Sequence, residues 1–208
     1  MDPGKRVSIT YVNDTGRDDF SVYVSGMPYV ASDPSSFVAW QTLRSQSTAA
    51  FLFPARAGVG LVWEGVTYDP KVTPSTATWE VTTTRDMEPV VQQVPHKPSS
   101  GNLVIVKNLT KLSQLTIGIF KGKKIFLTKK NVQPDRTYRF NVTSNVYFNA
   151  GYRGDVQGQN FRVNIADFED GVVVVVKYID EEFIFSAASP DIARSMFRKE
   201  DQHALLTN

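Results

Sequence analysis

Apolar and polar residues alternate with a period of two along most of this chain. The alternation is clearest in four segments: Ile9/Tyr11, Phe20/Val22/Val24, Leu115/Ile117/Ile119 and Tyr138/Phe140/Val142. This period indicates antiparallel strands with one face in a core and the other in water. Turn-forming residues separate the segments, at positions 13–16, 121–123, 133–135 and 169–171. Short strands at this spacing predict a β-sandwich or barrel.

The same pattern occurs twice. Residues 102–120 (NLVIVKNLTKLSQLTIGIF) follow the alternation of residues 7–24 (VSITYVNDTGRDDFSVYV), with Asn108-Leu109-Thr110 over Asn13-Asp14-Thr15. Further apolar matches continue in chain order: Phe51 with Phe140, Val59 with Phe148, Trp79 with Phe161, and Val90-Val91 with Val172-Val173. The preserved order favours a duplicated unit over a chance alignment of two alternating sequences.

The predicted fold is therefore all-β, with two tandem repeated β-sandwich-like halves and a short C-terminal amphipathic helix. We assign the first repeat to residues 1–94, a linker rich in Pro and Ser to 95–101, the second repeat to 102–188 and a helical tail to 189–208. The pattern leaves open whether the halves are separate domains or one fused unit.

Two segments near the end of the second half are not simply alternating. The run Val172–Val176 is typical of a strand buried on both faces, or of one that pairs with another copy of the chain. Phe183–Phe185 predicts a further strand, for which the first half offers no clear counterpart.

The tail has the pattern of a helix. Ser189 suits the N-cap, Pro190 the first helical position and Asp191 the first turn. Apolar residues then follow at helical spacing: Ile192, Ala193, Met196 and Phe197. We expect this face to pack on the sandwich or on a partner chain.

Composition narrows the chemistry. The 208 residues include no cysteine, which excludes disulfides, thiolate nucleophiles and Cys-type metal sites. The net charge of +2 gives no reason to expect nucleic acid as a partner. Charge is uneven, however, at −3 over residues 1–95 and +5 over residues 96–187. No secretory signal or membrane span is evident, so we expect a cytoplasmic or non-classically exported protein.

No catalytic motif is apparent. His96 lies in the linker and His203 in the charged tail, where neither would be oriented as a base. Carboxylates cluster around Asp18, Glu169 and Glu181 without the spacing of a calcium loop. The glycines of residues 151–158 do not open a helix, which argues against a phosphate loop. We expect no cofactor or metal and a non-enzymatic protein, and keep an enzyme with loop carboxylates as an alternative.

Two groups of residues are candidates for binding. The longer loops of the first half carry aromatic residues suited to stacking on sugar rings or to a protein interface: Tyr29, Trp40, Trp63 and Tyr68. Lysines flank the strand 125–127 of the second half: Lys121, Lys123, Lys124, Lys129 and Lys130. They suit an anionic surface, although lysine also protects sheet edges from aggregation.

The leading functional hypothesis is a non-enzymatic binding or assembly module, lectin-like or surface-binding through the aromatic loops. A membrane-active protein that uses the basic hairpin and the tail helix is an alternative. The partners expected are a glycan or a protein, a second copy of the chain, or a membrane surface.

Overall fold

The computed structural model describes residues 6–33, 37–44, 48–54, 56–74, 76–95, 102–152 and 155–196, with backbone alone for 157–159. Both histidines and residues 96–101 of the predicted linker lie outside these ranges. Within them, sixteen strands form four four-stranded sheets, which confirms the predicted all-β class. No helix in these ranges is long and apolar enough to cross a membrane.

The strands fall evenly on the two sides of the predicted linker. Those before it are β1 Val7–Asn13, β2 Phe20–Ser25, β3 Gln41–Arg44, β4 Thr48–Phe53, β5 Ala57–Trp63, β6 Val66–Thr73, β7 Ala77–Thr83 and β8 Pro89–Gln93. Those after it are β9 Leu103–Asn108, β10 Thr116–Lys121, β11 Lys124–Lys129, β12 Thr137–Asn141, β13 Asn145–Tyr152, β14 Asp155–Asn164, β15 Val172–Ile179 and β16 Glu182–Ala188.

The four sheets pack as two sandwiches. Sheet A (β16-β15-β1-β4) faces sheet B (β14-β13-β2-β3), and their rings meet where Phe183 lies 4.8 Å from Phe20 and Phe185 lies 5.7 Å from Phe161. Sheet C (β11-β10-β5-β6) faces sheet D (β12-β9-β7-β8), where Trp79 Nε1 donates to Thr73 Oγ1 across 3.0 Å. We call the first pair of sheets the outer sandwich and the second pair, built from β5–β12, the inserted sandwich.

Every sheet takes two strands from each half of the chain. The two central strands of each sheet come from different halves, in the pairs β1–β15, β2–β13, β5–β10 and β7–β9. Two of these pairs, β1–β15 and β7–β9, are parallel. No sheet in the described residues is made by one half alone, so the strands follow the alternative of one fused unit. Whether either half can form a domain by itself stays a prediction.

The two halves nevertheless have the same strand order. Each strand of the first half corresponds to the strand of the second half whose number is eight higher. When corresponding strands are exchanged, the order of sheet A becomes that of sheet D, and the order of sheet B becomes that of sheet C. The register agrees as well: Ile9 pairs with Val172 and Phe51, and its match Val104 pairs with Ala77 and Phe140. This correspondence is what a duplicated unit would give, while the duplication itself stays an inference from the sequence.

The sequence alignment follows the structure for four strands, β1, β2, β4 and β5, and then departs from it. Trp79 lies on β7, whose counterpart is β15, so its match with Phe161 on β14 was wrong. The match of Val90-Val91 on β8 with Val172-Val173 on β15 was wrong as well, because the counterpart of β8 is β16. The strand at Phe183–Phe185, which had no evident counterpart, is part of β16 and corresponds to β8. Alternation shows which residues of a strand face the core, but it does not show which strand of the second half corresponds to a given strand of the first.

The two Asn-x-Thr motifs form the same turn. Asn108 Oδ1 accepts hydrogen bonds from the backbone N–H and hydroxyl of Thr110 at 3.0 and 2.8 Å, and Asn13 Oδ1 does the same for Thr15 at 3.1 and 2.6 Å. The amide N–H groups differ in their partners. Asn13 donates to Arg17 O of its own loop, whereas buried Asn108 donates to Gln133 O of a different loop. These bonds confirm the turn predicted at positions 13–16 and show that residues 108–110, which align with it, form the same turn.

The predicted strand at Val172–Val176 and the predicted C-terminal helix are both present in the structure. Val172–Val176 lies within the internal strand β15, between β1 and β16, as predicted for a strand buried on both faces. A helix spans residues 190–196, and Ala193 N donates to Ser189 O at its start. Ala193 is buried against the sheet, but Ile192 and Met196 are 52 % and 56 % exposed, so these two positions are not packed on the sandwich as one alternative predicted. Packing of this face on a partner chain stays a prediction, and Phe197 lies outside the described residues.

The outer sandwich holds several buried polar atoms that have no hydrogen-bond partner among the described residues: the hydroxyls of Tyr11 and Tyr152 and both polar side-chain atoms of Asn149. Tyr11 on β1 is fully buried, and its hydroxyl makes no hydrogen bond to any described residue. We predict that Tyr11→Phe raises the free energy of unfolding by about 1 kcal/mol, because it removes a buried unsatisfied hydroxyl without changing the ring. Urea denaturation monitored by tryptophan fluorescence measures the change.

The control for this substitution is Tyr138→Phe. The Tyr138 hydroxyl accepts a hydrogen bond of 2.6 Å from Gln133 N, so its removal should lower stability by about 1 kcal/mol. A Tyr11→Phe variant that is as destabilised as Tyr138→Phe would show that the Tyr11 hydroxyl is satisfied in solution.

Candidate functional site

A cleft of about 300 Å³ lies where the two sandwiches meet. The outer sandwich contributes residues 26–28, which follow β2, and Tyr147 on β13. The inserted sandwich contributes residues 127–129 of β11 and 139–141 of β12. Thr143 and Asn145, at the crossing from one sandwich to the other, complete the lining. Junctions of this kind are common positions for ligand sites.

The lining combines an apolar floor with a polar rim. The floor is formed by Met27, Pro28, Leu127 and Phe140. The rim carries groups that can donate and accept hydrogen bonds: Asn141, Thr143, Asn145 and the hydroxyl of Tyr147. An apolar surface with a few convergent polar groups is the usual composition of a small-molecule site.

The cleft is electropositive. Lys129 and Arg139 both line it, and no carboxylate of the described residues does. Neither cation forms an ion pair with a described residue. The inserted sandwich is basic as a whole, because residues 57–141 contain 12 of the 23 Lys and Arg but only 6 of the 21 Asp and Glu. An anionic group would therefore be attracted to this cleft and could accept hydrogen bonds from both cations.

The rim depends on one glycine. A Cβ at Gly26 would lie 2.6 Å from Phe126 O and 2.7 Å from the Phe126 ring, far inside contact distance. Only a residue without a side chain therefore lets the end of β2 approach β11 this closely. Ser25 Oγ donates to Met27 O across 2.7 Å and fixes the chain just beyond the glycine.

The lining contains no His and no carboxylate among the described residues. In the described part of the chain, no three His, Asp or Glu side chains are grouped so that they could hold a metal ion.

The structure places Trp40, one of the predicted ligand-binding residues, in the core. Trp40 is 3 % exposed, donates from Nε1 to Lys121 O across 3.0 Å, and packs edge-to-face on Phe53 and Phe126. It thus joins sheets A and C at the junction of the sandwiches. Its ring cannot stack on a ligand at the surface, because both its edge and its faces are covered by protein.

The other three predicted aromatic residues are half-buried and do not converge with Trp40. Tyr29 packs on Phe37 with ring centroids 5.4 Å apart, and its backbone N–H and C=O are both bonded by the Asn160 amide. Trp63 and Tyr68 lie together at the β5–β6 end of sheet C and pack against the core. None of the three lines the cleft, and a ligand role for them stays a prediction.

The predicted basic hairpin is only partly a surface. Lys121 is 5 % exposed, donates to Pro54 O across 2.9 Å and lies 4.7 Å from the centroid of the Phe53 ring. Lys124 is exposed and donates to Gln41 at 2.6 Å. Lys123, Lys129 and Lys130 are exposed, and of the five lysines Lys129 reaches the cleft. The burial of Lys121 corrects its assignment to an anionic surface.

Sequence reasoning missed most of the cleft. Its residues come from three separate stretches of the chain, 26–28, 127–129 and 139–147. The pairing of β2 with β13 brings the first stretch to the third, and the close approach of Gly26 to Phe126 brings it to the second. The burial of Lys121 had a signal, because it continues the alternation of Ile117 and Ile119, both of which face the core. A comparison with protein-family models, curated proteins and solved structures found no match to this chain.

Buried Lys121 should make stability depend on pH. Desolvation lowers the pKa of its ammonium group from 10.5 to about 8. Between these two values the unfolded chain binds a proton that the folded protein has released, so this group makes the free energy of unfolding rise with pH. We predict that wild type gains up to about 3 kcal/mol over Lys121→Met between pH 8 and pH 10.

Urea denaturation of both proteins across this pH range measures the difference, and Lys123→Met serves as an exposed control from the same hairpin. Parallel stability curves for wild type and Lys121→Met would show that the Lys121 ammonium titrates normally and is hydrated in the folded state.

Proposed function

We propose that this protein is a non-enzymatic binding module that holds an anionic saccharide in the cleft between its two sandwiches. The observation that carries the proposal is the pairing of Lys129 and Arg139 in a cleft whose lining has no carboxylate. A carboxylate or sulfate group on a sugar would bind these cations through charge-assisted hydrogen bonds. Arg139 can hold such a group with two parallel N–H donors.

The uncharged part of the lining supports a sugar as the carrier of the negative charge. Asn141, Asn145 and Thr143 offer amides and a hydroxyl, which can pair with the hydroxyl groups of a sugar ring. Tyr147 adds an aromatic ring to a site whose floor is apolar, and such rings suit the apolar face of a pyranose. The binding hypothesis made from sequence is thus kept, but its site is moved from the aromatic loops to the cleft.

The structure gives less support to membrane binding through the basic hairpin. Lys121 is buried within the protein and Lys124 is hydrogen-bonded to Gln41, which leaves fewer cations for lipid head groups. Binding in the cleft would require Lys129 but not Lys123, whereas binding to a membrane through the hairpin surface would use both. Both are exposed lysines of one hairpin, but Lys129 lines the cleft and Lys123 lies at the turn away from it.

We predict that a glycan array will show binding to saccharides with carboxylate or sulfate groups and weaker binding to neutral analogues of the same backbone. Lys129→Ala and Arg139→Ala should each weaken the affinity about tenfold or more, because each removes a charge-assisted contact in a partly enclosed site. Titration calorimetry of purified variants with the best acidic oligosaccharide measures these losses.

Lys123→Ala is the matched control and should bind like wild type. Equal losses for Lys123→Ala and Lys129→Ala, together with salt-sensitive pelleting on anionic liposomes, would replace the cleft with a membrane surface as the site. Binding that ignores the charge of the saccharide would contradict the proposal directly.

A further inference from the structure

A second pocket of about 170 Å³ lies next to the cleft on the inserted sandwich. One wall is residues 111–114, after β9, and the other is residues 131–134, after β11. Lys129 lines the cleft and Asn131, two residues further along the chain, lines the pocket, so the two Cα atoms are at most about 7 Å apart. The linings of the cleft and the pocket are therefore adjacent where the chain leaves β11.

The second pocket repeats the chemistry of the cleft. Its polar lining consists of Lys111, Ser113, Gln114, Asn131 and Gln133, again with no carboxylate. The ammonium group of Lys111 provides the positive charge, and three amides and a hydroxyl provide donors and acceptors. A ligand with negative charges and hydroxyl groups suits both sites, while their separation requires that it be a chain.

The walls of the second pocket are held together by Asn108. Its Oδ1 accepts from Thr110, which begins the first wall, and its Nδ2 donates across 3.0 Å to Gln133 O of the second wall. Val132 N also donates to Leu115 O, and Gln133 N to the Tyr138 hydroxyl. Since both loops are tied to each other and to the sheet, the pocket is formed before any ligand arrives, which lowers the entropic cost of binding.

Two residues of the walls have left-handed backbone conformations, Gln114 at φ 56° and Asn131 at φ 52°. Such conformations are unfavourable for residues other than glycine, and they persist where the surrounding contacts require them. Both residues lie in the loops that line the pocket, together with Lys111 and Gln133. The same turn in the first half lacks this arrangement of bonds, because Asn13 donates to Arg17 within its own loop.

We infer that the ligand is an acidic oligosaccharide or polysaccharide that extends from the cleft into this second pocket, with charged groups at Lys129 and Arg139 and again at Lys111. The inference rests on the proposed function, because the cleft supplies the first contacts. It adds a statement that the cleft alone does not make: affinity depends on the length of the saccharide.

The test compares the affinities of an acidic monosaccharide and of longer oligomers of the same repeat for the full chain, by titration calorimetry. Wild type should bind the oligomers about tenfold more tightly or better than the monosaccharide. Lys111→Ala and Gln114→Gly should remove most of this gain and leave monosaccharide binding unchanged. Glycine at position 114 keeps the left-handed backbone and removes only the amide. Lys107→Ala, at an exposed position of β9 outside both linings, is the matched control.

The possible outcomes separate the two proposals. If affinity does not depend on length, or if the Lys111 and Gln114 variants bind oligomers like wild type, the second pocket is not a subsite and the cleft proposal stands. If no acidic saccharide binds, or if Lys129→Ala has no effect on the monosaccharide, the cleft proposal fails and the extended site fails with it.

Discussion

The pairing of strands from opposite halves at the centre of every sheet is the constraint on which this structure depends. A central strand has hydrogen-bonded neighbours on both sides, so neither half can complete a sheet without the other. The parallel pair β1–β15 places Ile9 beside Val172, and β7–β9 places Ala77 beside Val104. Along the chain, the inserted sandwich interrupts the outer one between β4 and β13. At the junction of the two sandwiches, Trp40 packs against Phe53 and Phe126.

The candidate site follows from a difference between halves that are otherwise alike. Val24 and Ile119 are matching positions, since they pair with the matching residues Phe148 and Val59. Two residues further on, the first half has Gly26 and the second has Lys121. Gly26 lines the open cleft, whereas the Lys121 side chain runs inward to Pro54 O beside Phe53. One junction is thus filled with protein while its counterpart can accept a ligand.

Local patterns in the sequence predicted what local interactions determine. Alternation identified the core-facing residues of most strands, and the Asn-x-Thr motif identified two turns, because both signals lie within a few residues of chain. Strand pairing is not encoded locally, so the alternation could not show that β9 would lie beside β7. The cleft was beyond sequence reasoning for the same reason, since Met27, Lys129 and Tyr147 are far apart in the chain and become neighbours only when strands of both halves pair. Trp40 was misjudged because the sequence around it does not reveal that Phe51, Phe53 and Phe126, which are distant in the chain, pack on its ring.

The position of β1 also has a consequence for biosynthesis. Ribosomes release the chain from its N-terminus, and β1 reaches its parallel partner only when Val172 has been made. Until then one side of β1 has free backbone donors and acceptors, which are a template for association with other nascent chains. Contacts so distant in sequence also slow folding, because a long loop must close before they form. The strand pairing that creates the cleft thus leaves one edge of β1 unpaired in the nascent chain until β15 has been synthesised.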